Sequence, residues 1–196
     1  TWLSVAATLE LRKGLGILDA SETGLRSGEL TSRLEGNSRA LVARGVVDAT
    51  AYLGPVFSIA ALGQVQWAND PLLNYEEFAL GSLTIGRGYD PGSNSGDRAA
   101  GGRIEGRADV PLVSWVGTQL YGFYDLLRLS NLDNSRLEGA RTFASVGGGL
   151  RLSLPNRLVL DLTYAKPLDR ALLLDERRPP ARVLASLTVQ LRDRAR

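Results

Sequence analysis

The residues best suited to chemistry in this sequence are charged and flanked by glycine, and they fall into three groups. Between positions 76 and 107, glycines stand at 81, 86, 88, 92, 96, 101, 102 and 106, with Arg87-Gly88-Tyr89 in their midst. Glycine at that density marks tight turns and close backbone approach, and the first chemistry to consider is a phosphate cradle. No G-x-x-x-x-G-K-[ST] is present, and Gly86-Arg87-Gly88 runs into Tyr89-Asp90-Pro91, so G-x-G-x-x-G fails too. No nucleotide or other cofactor is expected. The second group is Arg103, Glu105, Arg107 and Asp109, alternating in sign every second residue, and the third is Phe123-Tyr124-Asp125. A guanidinium away from water needs a carboxylate, because an unpaired buried charge is expensive, and arginine pairs with carboxylates in a two-pronged fork. The residues alone do not say which carboxylate that would be. On the residues alone, Arg87 also reads as an exposed loop-tip arginine and Asp125 as a strand-end carboxylate facing water. The charge row reads as a wall whose members neutralise one another or their neighbours.

Composition narrows the classes. The chain has 196 residues with no cysteine, histidine or methionine. Disulfides, thiolate and imidazole metal sites and histidine-based triads are excluded. With only scattered aspartate and serine, no nucleophile–base pair stands out, and an enzyme is not expected. A net charge of +2 is too small to indicate nucleic acid. Hydrophobic residues make up 44%, yet their runs fall short of the roughly 18 residues a transmembrane helix needs. A chain that opens on Thr1 and contains no methionine reads as part of a longer protein.

The elements that must position these residues show a period of two. In 182–192, Val183, Ala185, Leu187, Val189 and Leu191 alternate with Arg182, Leu184, Ser186, Thr188, Gln190 and Arg192, one face apolar and the other mostly polar. The same alternation recurs elsewhere and predicts eight strands, near 1–12, 39–53, 56–68, 101–111, 113–127, 141–154, 157–167 and 182–192. Most exceed the usual globular length and suit the about 9–11 residues a tilted strand needs to cross a bilayer. Tight connections at Gly54-Pro55, Pro111-Leu112 and Pro155-Asn156 alternate with long polar stretches. Short turns at one end and long loops at the other are the habit of outer-membrane barrels. Periodicity alone also admits a soluble barrel or sandwich with the apolar faces turned inward.

Three marks, in order, carry a family resemblance. The first is Glu77-Phe78, Leu80-Gly81, Arg87-Gly88-Tyr89 and Gly96-Asp97; the second is Phe123-Tyr124-Asp125. The third is the run from Gly147 to Pro155 followed by Tyr164-Ala165-Lys166-Pro167-Leu168. Together they resemble the two-partner secretion transporters of the outer membrane (TpsB, the ShlB/FhaC/HecB haemolysin secretion and activation family), within the superfamily that includes the BamA assembly factor. Three departures stand out. Gly86 replaces the usual valine, Leu126-Leu127 follows Asp125 where a glycine is common, and the chain ends on Arg192-Asp193-Arg194-Ala195-Arg196 rather than on an aromatic.

The resemblance implies an all-β chain forming the C-terminal half, strands nine to sixteen, of a 16-stranded transmembrane β-barrel in the bacterial outer membrane. Residues 13–38 become loop five and about 69–100 loop six. The plug helix, two POTRA domains and the first eight strands are expected elsewhere, and half a barrel would leave strand edges near 1–12 and 182–192. Loop six is implied to fold into the lumen and set Arg87 against Asp125, with Tyr89 beside Phe123 and Gly88 allowing the sharp backbone. Arg103, Glu105, Arg107 and Asp109 would line the lumen. The implied activity is export of a large exoprotein of haemolysin or adhesin type. Membrane lipid and the barrel assembly machinery are further partners, with no nucleotide, nucleic acid or metal. A BamA/TamA-like assembly factor is the alternative, and a passive porin or a barrel-borne enzyme fits the marks less well.

Overall fold

The structure is a computed structural model and describes residues 2–17, 32–81, 85–110, 112–113, 115–133, 139–154, 158–171 and 177–189. Eight long strands form one antiparallel sheet: β1 (Leu3–Lys13), β2 (Leu41–Tyr52), β3 (Phe57–Ala68), β6 (Arg98–Asp109), β7 (Gly117–Ser130), β8 (Arg141–Leu154), β9 (Leu158–Pro167) and β10 (Arg182–Val189). Their order follows the chain, β1-β2-β3-β6-β7-β8-β9-β10. The connection from β3 to β6 carries a 3-10 turn at Asn74–Glu76 and a ribbon of β4 (Phe78–Ala79) with β5 (Ser95–Gly96). Among the described residues no helix is long and apolar enough to cross a membrane, which leaves a β-barrel open. Among the described residues β1 and β10 each pair on one side only.

The strand pairs keep constant register without a bulge. Side chains therefore alternate faces along every strand. In β3, Phe57, Ile59, Val65 and Trp67 are exposed on one face, while Ser58, Ala60, Leu62 and Gln66 are buried on the other. In β7, Leu120, Tyr124 and Leu126 are exposed and Tyr121, Phe123, Asp125 and Leu127 are buried. The bulky apolar face is thus the outer one, and the polar face is covered from within by the β3–β6 connection. This is the reverse of a sandwich, whose strands bury their apolar faces together.

Boundaries differ from the sequence expectation in informative places. The strand expected from 113 begins at Gly117 and runs on to Ser130. Its start is displaced because Val113 bridges Val116 and the Val110 N–H donates to the Thr118 carbonyl at 2.8 Å ahead of the strand. β6 begins at Arg98, three residues early, because it gains Arg98 opposite Ser130 and Ala99 opposite Gln66. Residues 190–192 of the last expected strand, and the charged end 193–196, lie outside the described residues. The short connections, β2 to β3, β6 to β7 and β8 to β9, join strand ends on one side of the sheet, and the long ones, β1 to β2, β3 to β6, β7 to β8 and β9 to β10, join them on the other.

Candidate functional site: an arginine seated against the inner wall

The tip of the long β3–β6 connection, residues 86–89, reaches five strands at once. Arg87 meets β6 and β7, Gly88 lies against Pro167 at the end of β9, and Tyr89 bonds to β8 and β10. Four residues can do this only if the sheet curls around them. The connection therefore lies inside the curved sheet.

Arg87 is at the centre. Its Nε and Nη2 donate to Asp125 Oδ2 and Oδ1 at 3.2 and 2.9 Å, a two-pronged pairing, and Nη1 donates to Glu105 Oε2 at 3.0 Å. The guanidinium carbon lies 3.3 Å from the centre of the Phe123 ring, so the plane is also covered by a π face. Arg87 is 5% exposed, and Glu105 and Asp125 are at 0%. Asp125 further accepts the backbone N–H groups of Gly86 and Arg87, at 3.1 and 3.2 Å, and the Ser145 hydroxyl at 3.4 Å. Phe123 and Asp125 reach the same spot because they stand two apart on β7.

The backbone explains the first departure from the family pattern. Gly86 has φ +80°, in the left-handed region, and a Cβ there would come within 2.6 Å of a Leu80 methyl. This conformation turns two successive N–H groups onto one carboxylate, which valine in that geometry could not do. The second departure has a packing reason. Leu126 faces outward, while Leu127 is fully buried with Leu129, Leu62, Ala99 and Phe143 against Leu80, Ile85 and Tyr89 of the connection.

Tyr89 differs from expectation. Its ring packs edge-on against Phe143, with centroids 5.5 Å apart at 76°, and belongs to a different cluster from Phe123. Its hydroxyl donates to the Ala144 carbonyl at 2.9 Å and accepts from the Asp169 N–H at 3.1 Å. The chain reverses between Arg87 and Tyr89, sending one side chain toward β6–β7 and the other toward β8–β9. Gly88 is needed there because a Cβ would meet the backbone nitrogen of Pro167 at 2.8 Å.

The charge row shares the inner face, but its members do unequal work. Glu105 is the hub. Its Oε1 accepts from Arg107 Nε at 2.7 Å and from both Nη atoms of Arg151 at 3.2 Å, while Oε2 takes Arg87. Arg103 is half-buried on the same face, in register with Asp125. Asp109 is exposed at the turn end and accepts from Gln119 Nε2 at 2.8 Å. Arg151 extends the network to Asp161 Oδ2 at 2.8 Å and Gln119 Oε1 at 2.8 Å. It stacks over Tyr121, whose hydroxyl bonds to Asp161 and Thr163. Arg151 was legible as a polar position in an alternating strand, but nothing local marked it as a partner of Glu105.

A second cluster, absent from the sequence reading, ties the long loops together. Arg33, in the β1–β2 connection, donates to Glu77 Oε1 and Asp97 Oδ1 at 2.6 Å each, and to Asp133 Oδ2 at 2.7 Å. Asp97 is fully buried and also accepts the N–H groups of Leu72 at 2.7 Å and Leu132 at 2.6 Å. Burial alone would lower the Arg33 pKa; the carboxylates of Asp133 and Asp97 outweigh it and raise it, so the group stays charged. The first mark, with Glu77-Phe78 and Gly96-Asp97, held two of the carboxylates around Arg33 but did not pair them. Arg33 lies in an aperiodic polar stretch and carries no local signal.

No protein-family model matches the chain, and no curated protein sequence does. Among solved structures, CdiB from Escherichia coli is similar with a TM-score of 0.76 at 15% identity, over 96% of this chain and 34% of that chain. The likeness is one of fold. This chain is an all-β, eight-stranded counterpart of half of the CdiB barrel and spans about a third of that protein, 34% of its length.

Proposed function

We propose that this chain is the C-terminal half of an outer-membrane pore that exports a large partner exoprotein by two-partner secretion, with the β3–β6 connection, loop six, seated in the lumen. CdiB is a two-partner secretion transporter, and this chain has the fold of part of it. The observation that carries the reading is the seating of Arg87 between Glu105 and Asp125, inside a sheet whose outer face is apolar. An apolar face turned outward suits hydrocarbon. An inner face of paired charges suits a wet conduit. The chemistry is binding and positioning, without a covalent step. The passenger is of haemolysin or adhesin type in this reading, and its folding outside the cell is the source of drive, since the sequence holds no nucleotide-binding motif.

The test uses the intact transporter and its exoprotein. Arg87→Ala should cut secretion of the exoprotein severalfold while the barrel still reaches the outer membrane and keeps its heat-modifiable mobility on gels. Secretion at the parent level would overturn the reading. Normal exoprotein export with defective insertion of other barrels would favour the assembly-factor alternative.

A further inference from the structure

The outward positions of the eight strands follow from the unbroken register. Among the described residues they carry no acid, and the charged side chains there are Lys13, Arg98, Arg128 and Lys166. All four stand within two residues of the strand end that leads to or from a long connection. The turn end presents Ala51, Phe57, Ala108, Thr118, Leu154 and Leu158 at the corresponding outward positions. Among the described residues the outward cations stand at one rim, with none at the other.

Two of the cations sit close together. Arg98 lies opposite Ser130, and Ala100 lies opposite Arg128, so the two arginines are diagonal neighbours on adjacent strands. Diagonal like charges repel, and among the described residues neither arginine has an ion-pair partner. Arg98 is held toward the end of β3, its Nε donating to the Ala68 carbonyl at 2.9 Å and its guanidinium carbon 5.5 Å from the Trp67 ring. Arg128 is exposed and stands beside Thr142 in the register. Two guanidiniums, in register with the hydroxyl residues Ser130 and Thr142 at the upper edge of an apolar wall, supply the kind of donors that phosphate groups accept.

We infer that the Arg98–Arg128 pair, with Lys13 and Lys166 further round the rim, binds the phosphate groups of lipid headgroups in the leaflet on the long-loop side. The inference rests on the outer-membrane reading above. Charge complementarity selects the occupant: among the described outward strand positions the charges at this rim are all cationic, they face away from the lumen, and the side chains below them (Trp67, Leu126, Tyr124) are the apolar ones that meet acyl chains.

The experiment compares the intact protein with Arg98→Gln/Arg128→Gln in vesicles of phosphatidylcholine doped with lipid A, counting retained lipid A by native mass spectrometry after detergent extraction. The double variant should retain severalfold less lipid A than the parent, and Arg39→Gln, an exposed loop substitution, should retain as much as the parent. Arg128→Gln alone, which removes no hydrogen bond given to that side chain, should show part of the loss and guards against misfolding of the double variant. Equal retention in parent and variants would overturn the rim. Displacement of lipid A from the parent by inorganic phosphate would overturn a lipid site in favour of a free-anion site. If the intact protein fails to float with these vesicles and with vesicles of phosphatidylcholine alone, the membrane reading fails and takes the rim with it. Flotation with unchanged retention sinks the rim alone.

Discussion

Arg182, on β10, donates a hydrogen bond of 2.6 Å to the backbone carbonyl of Tyr89, and pairs with Asp90 at 3.0 Å. The tip of loop six is therefore tied to the outermost strand as well as to the inner wall. Asn94 adds a bond to the Ala171 carbonyl at 2.5 Å, and the Tyr89 hydroxyl takes the Asp169 N–H. Withdrawing the loop has to break the anchors of the β9–β10 connection along with the Arg87 pairs.

Arg182→Ala should accordingly loosen the loop without emptying the Arg87 seat. Limited proteolysis of the intact protein should cut residues 89–94 severalfold faster, while a spectroscopic label placed beside Phe123 keeps its parent signal. Unchanged cleavage would show that Arg182 does not hold the loop. The exposed Asp90 contributes little to this, since a surface ion pair is worth about 0–1 kcal/mol.

Gly88→Ala should prevent seating. The added methyl meets the backbone of Lys166 and Pro167, at 3.0 and 2.8 Å, and backbone atoms cannot rotate away as a side-chain end can. Overpacking of this kind costs about 1–3 kcal/mol. The expected outcome is a barrel that assembles with loop six displaced, read as increased ion conductance in planar bilayers. Parent conductance would count against a plugging loop.

Phe143→Ala should separate packing from charge. Phe143 is 2% exposed and closes the apolar cluster around Tyr89, so its loss costs about 3–5 kcal/mol. Thermal unfolding followed by heat-modifiable mobility should fall clearly, although every contact of Arg87 with Glu105 and Asp125 is untouched. An unchanged transition would mean the cluster adds nothing to the seat.

Asp97→Ala removes the acceptor that collects Arg33 and the N–H groups of Leu72 and Leu132. Each buried N–H left without a partner costs about 1–3 kcal/mol. Hydrogen exchange at Leu72 and Leu132 should accelerate by at least tenfold. The pH dependence follows from the raised Arg33 pKa: its contribution is present below the unfolded-state value and is lost only as pH rises through the still higher folded value. The loop cluster should therefore hold its protection throughout the alkaline range of ordinary buffers. Loss of exchange protection under mildly alkaline conditions would contradict the pairing.

The alternation of Val183, Ala185 and Leu187 with Arg182, Ser186 and Thr188, and its repeats along the chain, determined the strands, their faces and the split between short and long connections. That information is local, because a strand's two faces are set by neighbours in sequence. The same pattern left open which face turns inward. Only the curl of the sheet decided that, since curvature depends on strands far apart in the chain and on what lies between them. The tertiary structure likewise chose Glu105 as the second partner of Arg87, sent Tyr89 to Phe143 rather than Phe123, and gathered Glu77, Asp97 and Asp133 around Arg33. An arginine's partner is fixed by proximity in space and by exclusion of water, and periodicity records neither. The φ of Gly86 belongs to the same class: the sequence showed an unexpected glycine, and the fold showed a backbone turned to give two N–H groups to Asp125.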